Sequence, residues 1–189
     1  MGKRDPKPKL GRSDWVLAAL RALVKGGIGA VKVEALARDI GATKGSFYWH
    51  FKDLPELHQV MLELWEEIGT RRITATVMAS GLDPRGQLML LAEMVSVQPG
   101  AAVGGIEIEP ALRDWGRNDP RARSVLERVD RQRLEDLTGF LRAAGVDEGE
   151  LLPKAQLIYA AVIGLEELRL TTGVEMGPTL RALVEQLIE

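Results

Sequence analysis

Apolar positions recur along this chain at helical rather than strand spacing. Val16, Leu20, Leu23 and Val24 fall at i, i+4, i+7 and i+8, which predicts a first helix from about Asp14 to Lys25 with one buried face. Ser13 is its expected N-cap, Asp14 suits the positive helix end, and Gly26 and Gly27 stop it. Val33, Leu36, Ala37 and Ile40 repeat the pattern in a second, shorter helix. Gly41 then permits a sharp turn, and Ala42 is small enough for its corner. Thr43 is placed to cap a third helix, in which Phe47 and Phe51 are separated by four and face inward.

The same periodicity predicts six further helices. Asp53 and Glu56 have capping-box spacing at the start of a fourth, which buries Leu57, Met61, Leu64, Trp65 and Ile68 and can continue towards Met78. Asp83-Pro84 opens a fifth, with Leu88, Leu91, Ala92 and Val95 on one side, and Pro99, Gly100, Gly104 and Gly105 break the chain after it. A short sixth holds Ile108, Leu112 and Trp115. Asp119-Pro120 starts a long seventh that ends at Gly145, burying Val125, Leu126, Val129, Leu137, Phe140 and Leu141 with its arginines outward. The eighth runs from about Pro153 to Leu170, and a ninth follows Gly177-Pro178. About nine helices and few β-branched clusters predict an all-α chain.

The outer face of the third helix is unusual for a solvent face. It shows Lys44, Gly45, Ser46, Tyr48, Trp49, His50 and Lys52, including two large aromatics. A helix fits the DNA major groove, where hydroxyls and an imidazole reach phosphates or base edges and an aromatic ring meets thymine methyls. Charge points the same way. Residues 1–52 carry 11 Lys/Arg against 4 Asp/Glu, and the remainder carries 14 against 23, so a net charge of −2 hides +7 on the first part and −9 on the rest. A basic module on an acidic body suits nucleic-acid binding. Lys3, Arg4, Lys7, Lys9 and Arg12, among Pro6 and Pro8, form either an arm for phosphates or a minor groove, or a solvated tail with no partner.

Other classes find little support. There is no cysteine, hence no disulfide framework or cysteine metal site, and no cofactor is expected. The basic N-terminus leads into no apolar signal region and no apolar run approaches about 18 residues, so neither export nor a membrane span is expected and the location predicted is cytoplasmic. With two histidines and no HExxH or phosphate-loop spacing, no catalytic set stands out, and the carboxylates of the body read as solvated faces.

The stretch from Ile40 to Asp53, IGATKGSFYWHFKD, resembles the helix-turn-helix of TetR-family transcriptional regulators. The segment from Leu112 to Gly145 is more loosely similar to the bodies of one branch of that family. The resemblance implies two domains, a helix-turn-helix DNA-binding domain with its basic arm over 1–52 and a helical effector-binding and dimerisation domain over 53–189. It implies a homodimeric repressor, released from a palindromic double-stranded operator by an unidentified small molecule, for which the candidate lining residues predict an apolar or aromatic ligand. By position it assigns Lys44, Gly45, Ser46, Tyr48 and Trp49 to the groove, and Thr43, Tyr48, His50 and Lys52 to the DNA backbone. Two positions depart from the family pattern: Leu54 stands where a lysine is usual, removing a phosphate contact, and Val33 stands where a threonine is common. The alternatives are a regulator without an effector, or an all-α ligand-binding protein or small enzyme with a vestigial helix-turn-helix.

Candidate ligand-lining residues are Met61, Trp65, Met89, Met94, Trp115, Phe140 and Tyr159, with Glu166 or Glu167 as a polar anchor; each apolar candidate reads equally as plain core. Candidate dimer residues are Leu157, Ala161, Gly164 and Leu168 on the eighth helix and Leu180, Leu183, Val184 and Leu187 on the ninth. These pack either in a four-helix interface between subunits or against their own core.

Overall fold

A computed structural model describes residues 10–96 and 108–189. The basic residues before Leu10 and the break around Pro99 to Gly105 lie outside the described residues. Every regular element among those described is helical: α1 (Arg12–Gly26), α2 (Val33–Asp39), α3 (Lys44–Phe47), α4 (Leu54–Glu66), α5 (Arg72–Met78), α6 (Pro84–Ser96), α7 (Glu109–Asn118), α8 (Pro120–Ala143), α9 (Leu151–Thr172) and α10 (Met176–Leu187), with a 3-10 turn at Ile28–Ala30. A π-helical turn at Glu67–Arg71 joins α4 to α5 without a break, so the ten segments form nine rods. The chain divides into two compact units, the first ending at Met61 and the second beginning at Leu62.

The first unit is built on aromatic packing. Trp15, Leu20, Leu23, Leu36, Phe47, Phe51 and Leu57 are buried. Trp15 meets Phe47 edge-on at 5.3 Å between ring centroids, and Phe47 stacks on Phe51 at 5.2 Å. Arg12 closes the stack with its guanidinium 4.6 Å from the Phe51 ring centre. The α1 stripe therefore differs from expectation at two places. Val24 is 43% exposed, and Trp15 takes a central place in the core. The cap differs as well: the Asp14 carboxylate accepts the Gly11 N–H at 2.7 Å, so the helix starts at Arg12 and Ser13 is not the N-cap.

Expected caps form elsewhere. Gly41 has φ +67°, a left-handed conformation that suits glycine, and lets the Ala42 N–H donate to the Ala37 carbonyl at 2.8 Å. The Thr43 hydroxyl accepts the Ser46 N–H at 3.2 Å. Asp53 accepts the Glu56 N–H at 2.9 Å, while the Glu56 carboxylate reaches back to the Lys52 N–H at 2.7 Å. The recognition segment is shorter than predicted: α-helix covers Lys44–Phe47 alone, and turn hydrogen bonds from His50 and Phe51 to the Phe47 carbonyl carry it on.

In the second unit, α6, α8, α9 and α10 enclose a core of Leu88, Leu137, Phe140, Leu141, Ile158, Leu165, Leu180 and Val184. The Asp119 carboxylate caps α8 through the N–H groups of Arg121 and Ala122. Where α7 turns into α8 the Leu126 side chain fills the space beside Gly116: a Cβ there would lie 2.2 Å from Leu126 Cδ1, so Leu126 would have to shift. Helix α9 starts at Leu151, ahead of the Pro153 predicted, and α10 starts before Gly177.

Truncating the centre of the aromatic stack should be costly. Trp15→Ala is expected to destabilise the first unit by about 3–5 kcal/mol, the usual cost of removing a large buried ring. Denaturant unfolding of the variant beside the wild type measures it; a loss below about 1 kcal/mol would contradict the role given to Trp15.

Candidate nucleic-acid interface and ligand cavity

Phe47 and Phe51 are both at or below 1% exposure, and this fixes what the recognition segment turns outward. Trp49 is 87% exposed and Tyr48 is 55% exposed, with the Tyr48 ring packed edge-on against Phe47 at 5.2 Å. Thr43, Lys44, Gly45 and Lys52 are exposed, and Ser46 and His50 are half-buried. The eight DNA-contact candidates therefore share one short segment, and none of them is a buried core residue. Leu54, at the first turn of α4, is half-buried.

Two details of this face escaped the sequence. Glu34 on α2 accepts a hydrogen bond from Lys44 Nζ at 2.6 Å, which holds the Glu34 carboxyl below its ordinary range and raises the Lys44 amine. Both groups are well exposed, so the pair is weak and exchangeable. Gly45 is the second. A Cβ there would meet Thr43 Oγ1 at 3.8 Å, an ordinary contact, and its φ is not positive. Nothing inside the fold requires a glycine at this position.

The second unit holds a cavity of about 100 Å³. Of the ligand candidates, Trp65 and Tyr159 line it, together with Leu88, Leu91, Ile158 and Val162. Leu180 and Val184 also line it and are 1% exposed, so these two dimer candidates are used within the subunit. Met61, Met89, Met94, Trp115 and Phe140 are not among the lining residues. Met61 belongs to the first unit, Trp115 is buried on α7, and Met89, Met94 and Phe140 pack in the core beside the cavity.

One wall is polar, against the reading of these helices as solvated faces. Arg133 on α8 donates to Glu109 at 2.7 Å, to the Tyr159 hydroxyl at 3.1 Å, and to Thr70 Oγ1 and the Gly69 carbonyl of the π turn, both at 3.0 Å. Arg113 donates to Glu109 at 2.7 Å, to Asp130 at 2.9 Å and to the Tyr159 hydroxyl at 2.7 Å. The Tyr159 hydroxyl donates to Asp130 at 2.6 Å. Burial works against the charge on Glu109, but Arg133 and Arg113 outweigh it and leave its carboxyl below the ordinary range. Burial raises the Tyr159 phenol.

Glu166 is different. It lines the cavity at 6% exposure, and the hydrogen bonds that tie Arg133 and Arg113 to Glu109, Asp130 and Tyr159 do not extend to it. Burial first, and the charge of Glu109 second, push its carboxyl up to about 7, against the smaller opposing pull of Arg133, Arg113 and Arg169. Glu167, the other anchor candidate, is exposed.

These features define the class: an all-α chain whose first unit presents a helix-turn-helix and whose second encloses a small cavity. Residues 16–57 match the model of the tetR family of bacterial regulatory proteins. The chain thus carries a TetR-family helix-turn-helix domain. Two curated relatives from Pseudomonas putida are similar over 75 residues: the probable HTH-type transcriptional regulator ArpR at 33% identity, and the HTH-type transcriptional regulator TtgR at 32%. Each match covers 40% of this chain and 36% of the relative, so the chain spans about a third of the length of these relatives. Among solved structures, a TetR transcriptional regulator from Legionella pneumophila shares the fold over 100% of both chains, with a TM-score of 0.72 at 18% identity. Among the described residues, no helix is long and apolar enough to cross a membrane.

The Glu166 carboxyl gives a pH signature. An unfolded glutamate ionises near 4.5, whereas this one ionises near 7 when folded. Between those values the folded chain holds a proton that the unfolded chain has released, so stability falls as pH rises through this window. Glu166→Gln should raise the thermal midpoint at pH 8, and the gain should shrink towards zero near pH 4.5. Equal midpoints of variant and wild type at pH 8 would contradict the burial of an ionisable group here.

Proposed function

We infer that this protein is a sequence-specific, DNA-binding transcription regulator that works as a homodimer and is released from its operator by a small molecule. The observation that carries the DNA reading is the division within residues 43–52. Two buried phenylalanines hold the segment, and its polar, cationic and aromatic groups are left facing out. Tyr48 packs one edge on Phe47 yet is 55% exposed, and Trp49 is 87% exposed, a large aromatic area to leave in water. Lys44, Lys52 and His50 suit phosphates, and Ser46, Tyr48 and Trp49 suit base edges and thymine methyls. Gly45 leaves space for a phosphate that an alanine methyl would fill.

The dimer reading is supported by α9. Its inner face is buried, yet Leu157 is 55% and Leu168 51% exposed, with Ala161 and the exposed Gly164 between them. The row recurs at helical spacing and is smooth enough for a second helix to approach closely. A second copy covering it would set two recognition segments about 34–36 Å apart on a palindrome.

The release reading is supported by the cavity. Its lining includes Trp65, Ile68, Gly69 and Thr70, from the end of α4 and the π turn that follows. A ligand there would press on the helix that continues from the DNA-binding unit. By linkage, operator DNA would weaken ligand binding by the same factor as ligand weakens DNA binding.

Selection of bound duplexes from a random pool tests the DNA reading. A palindrome with half-sites about one turn apart is expected, bound with a steep salt dependence. The double variant Tyr48→Ala, Lys52→Ala should lose about tenfold or more in affinity. Gly45→Ala should keep or raise the thermal midpoint while weakening the duplex, because alanine suits a helix better than glycine does. Enrichment of no duplex at low salt would end this reading. For the dimer, Leu157→Glu with Leu168→Glu should halve the mass seen in sedimentation, and a monomeric wild type would contradict it.

A further inference from the structure

The cavity of the second unit contains one charged group, Glu166, that lies outside the hydrogen-bonded set formed around Arg133 and Arg113. Among the described residues four charged groups line it, Glu109, Arg133, Asp136 and Glu166, three carboxylates against one guanidinium, and Arg169, three residues further along α9, also pulls on Glu166. Behind them Arg113 and Asp130 cancel each other. Both arginines use all three of their nitrogens within the protein. Arg133 uses Nε, Nη1 and Nη2 on Thr70, Glu109, Tyr159 and Gly69, and Arg113 uses its nitrogens on Glu109, Asp130 and Tyr159. Asp136 accepts from the Thr74 hydroxyl and the Gln132 amide at 2.7 and 2.8 Å. Glu166 alone among these carboxylates lies outside these hydrogen bonds, although it is just 6% exposed. It stands seven residues after Tyr159, two turns along the same face of α9.

A buried carboxylate outside such a network is unfavourable, and packing alone would be served better by an apolar side chain. The remaining lining is mostly aliphatic. At about 100 Å³ the space is below the roughly 300 Å³ of a drug-sized site, so its occupant is small. An anionic occupant would face a surplus of carboxylates among the described lining residues.

We propose that this cavity binds a small organic cation, an ammonium on a short apolar body, with the ammonium donating to the Glu166 carboxylate and the body lying among Leu88, Leu91, Ile158 and Val162. The ammonium supplies a charge and hydrogen bonds to Glu166 from within the cavity. This assignment rests on the reading of the cavity as a ligand site and names the chemistry it recognises.

The test uses three probes of one length, hexylammonium, 1-hexanol and hexanoate, titrated calorimetrically into the full chain and into Glu166→Gln and Glu167→Gln. The wild type should bind hexylammonium about 10- to 100-fold more tightly than hexanol, as expected for a charge-assisted hydrogen bond, and hexanoate most weakly. Glu166→Gln should bring hexylammonium down to the level of hexanol while leaving hexanol unchanged, and Glu167→Gln should behave as wild type. Equal binding of hexylammonium and hexanol, tightest binding of hexanoate, an ammonium preference that survives Glu166→Gln, or no binding of any probe would each overturn the assignment. A duplex-release assay separates this from the regulator reading. Glu166-dependent ammonium binding without any change in duplex affinity keeps the cation site and removes ligand release; release by a different ligand class, with no ammonium preference, does the reverse.

Discussion

The packing of Trp15 on Phe47, and of Phe47 on Phe51, is the constraint on which the DNA-binding unit depends. A helix of four residues, Lys44–Phe47, has no independent stability, because nucleation costs more than its few hydrogen bonds return. Two phenylalanines four apart, clamped by a tryptophan from α1, hold it in place instead. Their burial also decides the segment's orientation: with Phe47 and Phe51 inward, Tyr48 and Trp49 face out. The Gly41 turn and the Thr43 cap then set where the segment begins.

A comparable role in the second unit falls to Arg133. It binds the π turn through Gly69 and Thr70, α7 through Glu109 and α9 through Tyr159. A buried guanidinium is tolerated when it is paired and hydrogen-bonded, and Arg133 makes four hydrogen bonds, one of them to the Glu109 carboxylate. Short π segments recur at functional sites, and this one lies in the cavity wall. Pairing Arg133 and Arg113 uses the carboxylates of Glu109 and Asp130 and leaves Glu166 outside the set. The unit is thus rigidly paired on one side of the cavity, and Glu166 stands apart from that pairing.

Much of this was legible in sequence because local patterns carry it. The separation of Phe47 from Phe51, the glycine at 41, and the Asp53–Glu56 capping pair are all encoded within a few residues and appear in the structure. The helix count was also recoverable, since apolar periodicity survives through long amphipathic helices. What failed to show were contacts across the chain. Trp15 sits one position from a stripe that Val16 already explained, and only its encounter with Phe47 gives it importance. In the cavity, methionines were favoured over charged residues because Glu and Arg on a helix usually face water. Glu109 and Arg133 face inward because they come together from α7 and α8 with Tyr159 of α9, which periodicity does not reveal, whereas Glu166 was already one of two anchor candidates. Leu180 and Val184 stay open between an interface and their own core for a related reason: α10 is apolar along a stripe whose partner, α6 or a second subunit, the sequence does not name.

The central claim is that the outward face of residues 43–52 is completed by DNA, and Trp49 reports on it directly. Of the four tryptophans, Trp15, Trp65 and Trp115 are at most 4% exposed, while Trp49 is 87% exposed. Acrylamide quenching of tryptophan emission should therefore show one accessible component, absent in Trp49→Phe, and saturation with the selected duplex should remove it in the wild type. Quenching of Trp49 that is unchanged by saturating duplex would contradict the account.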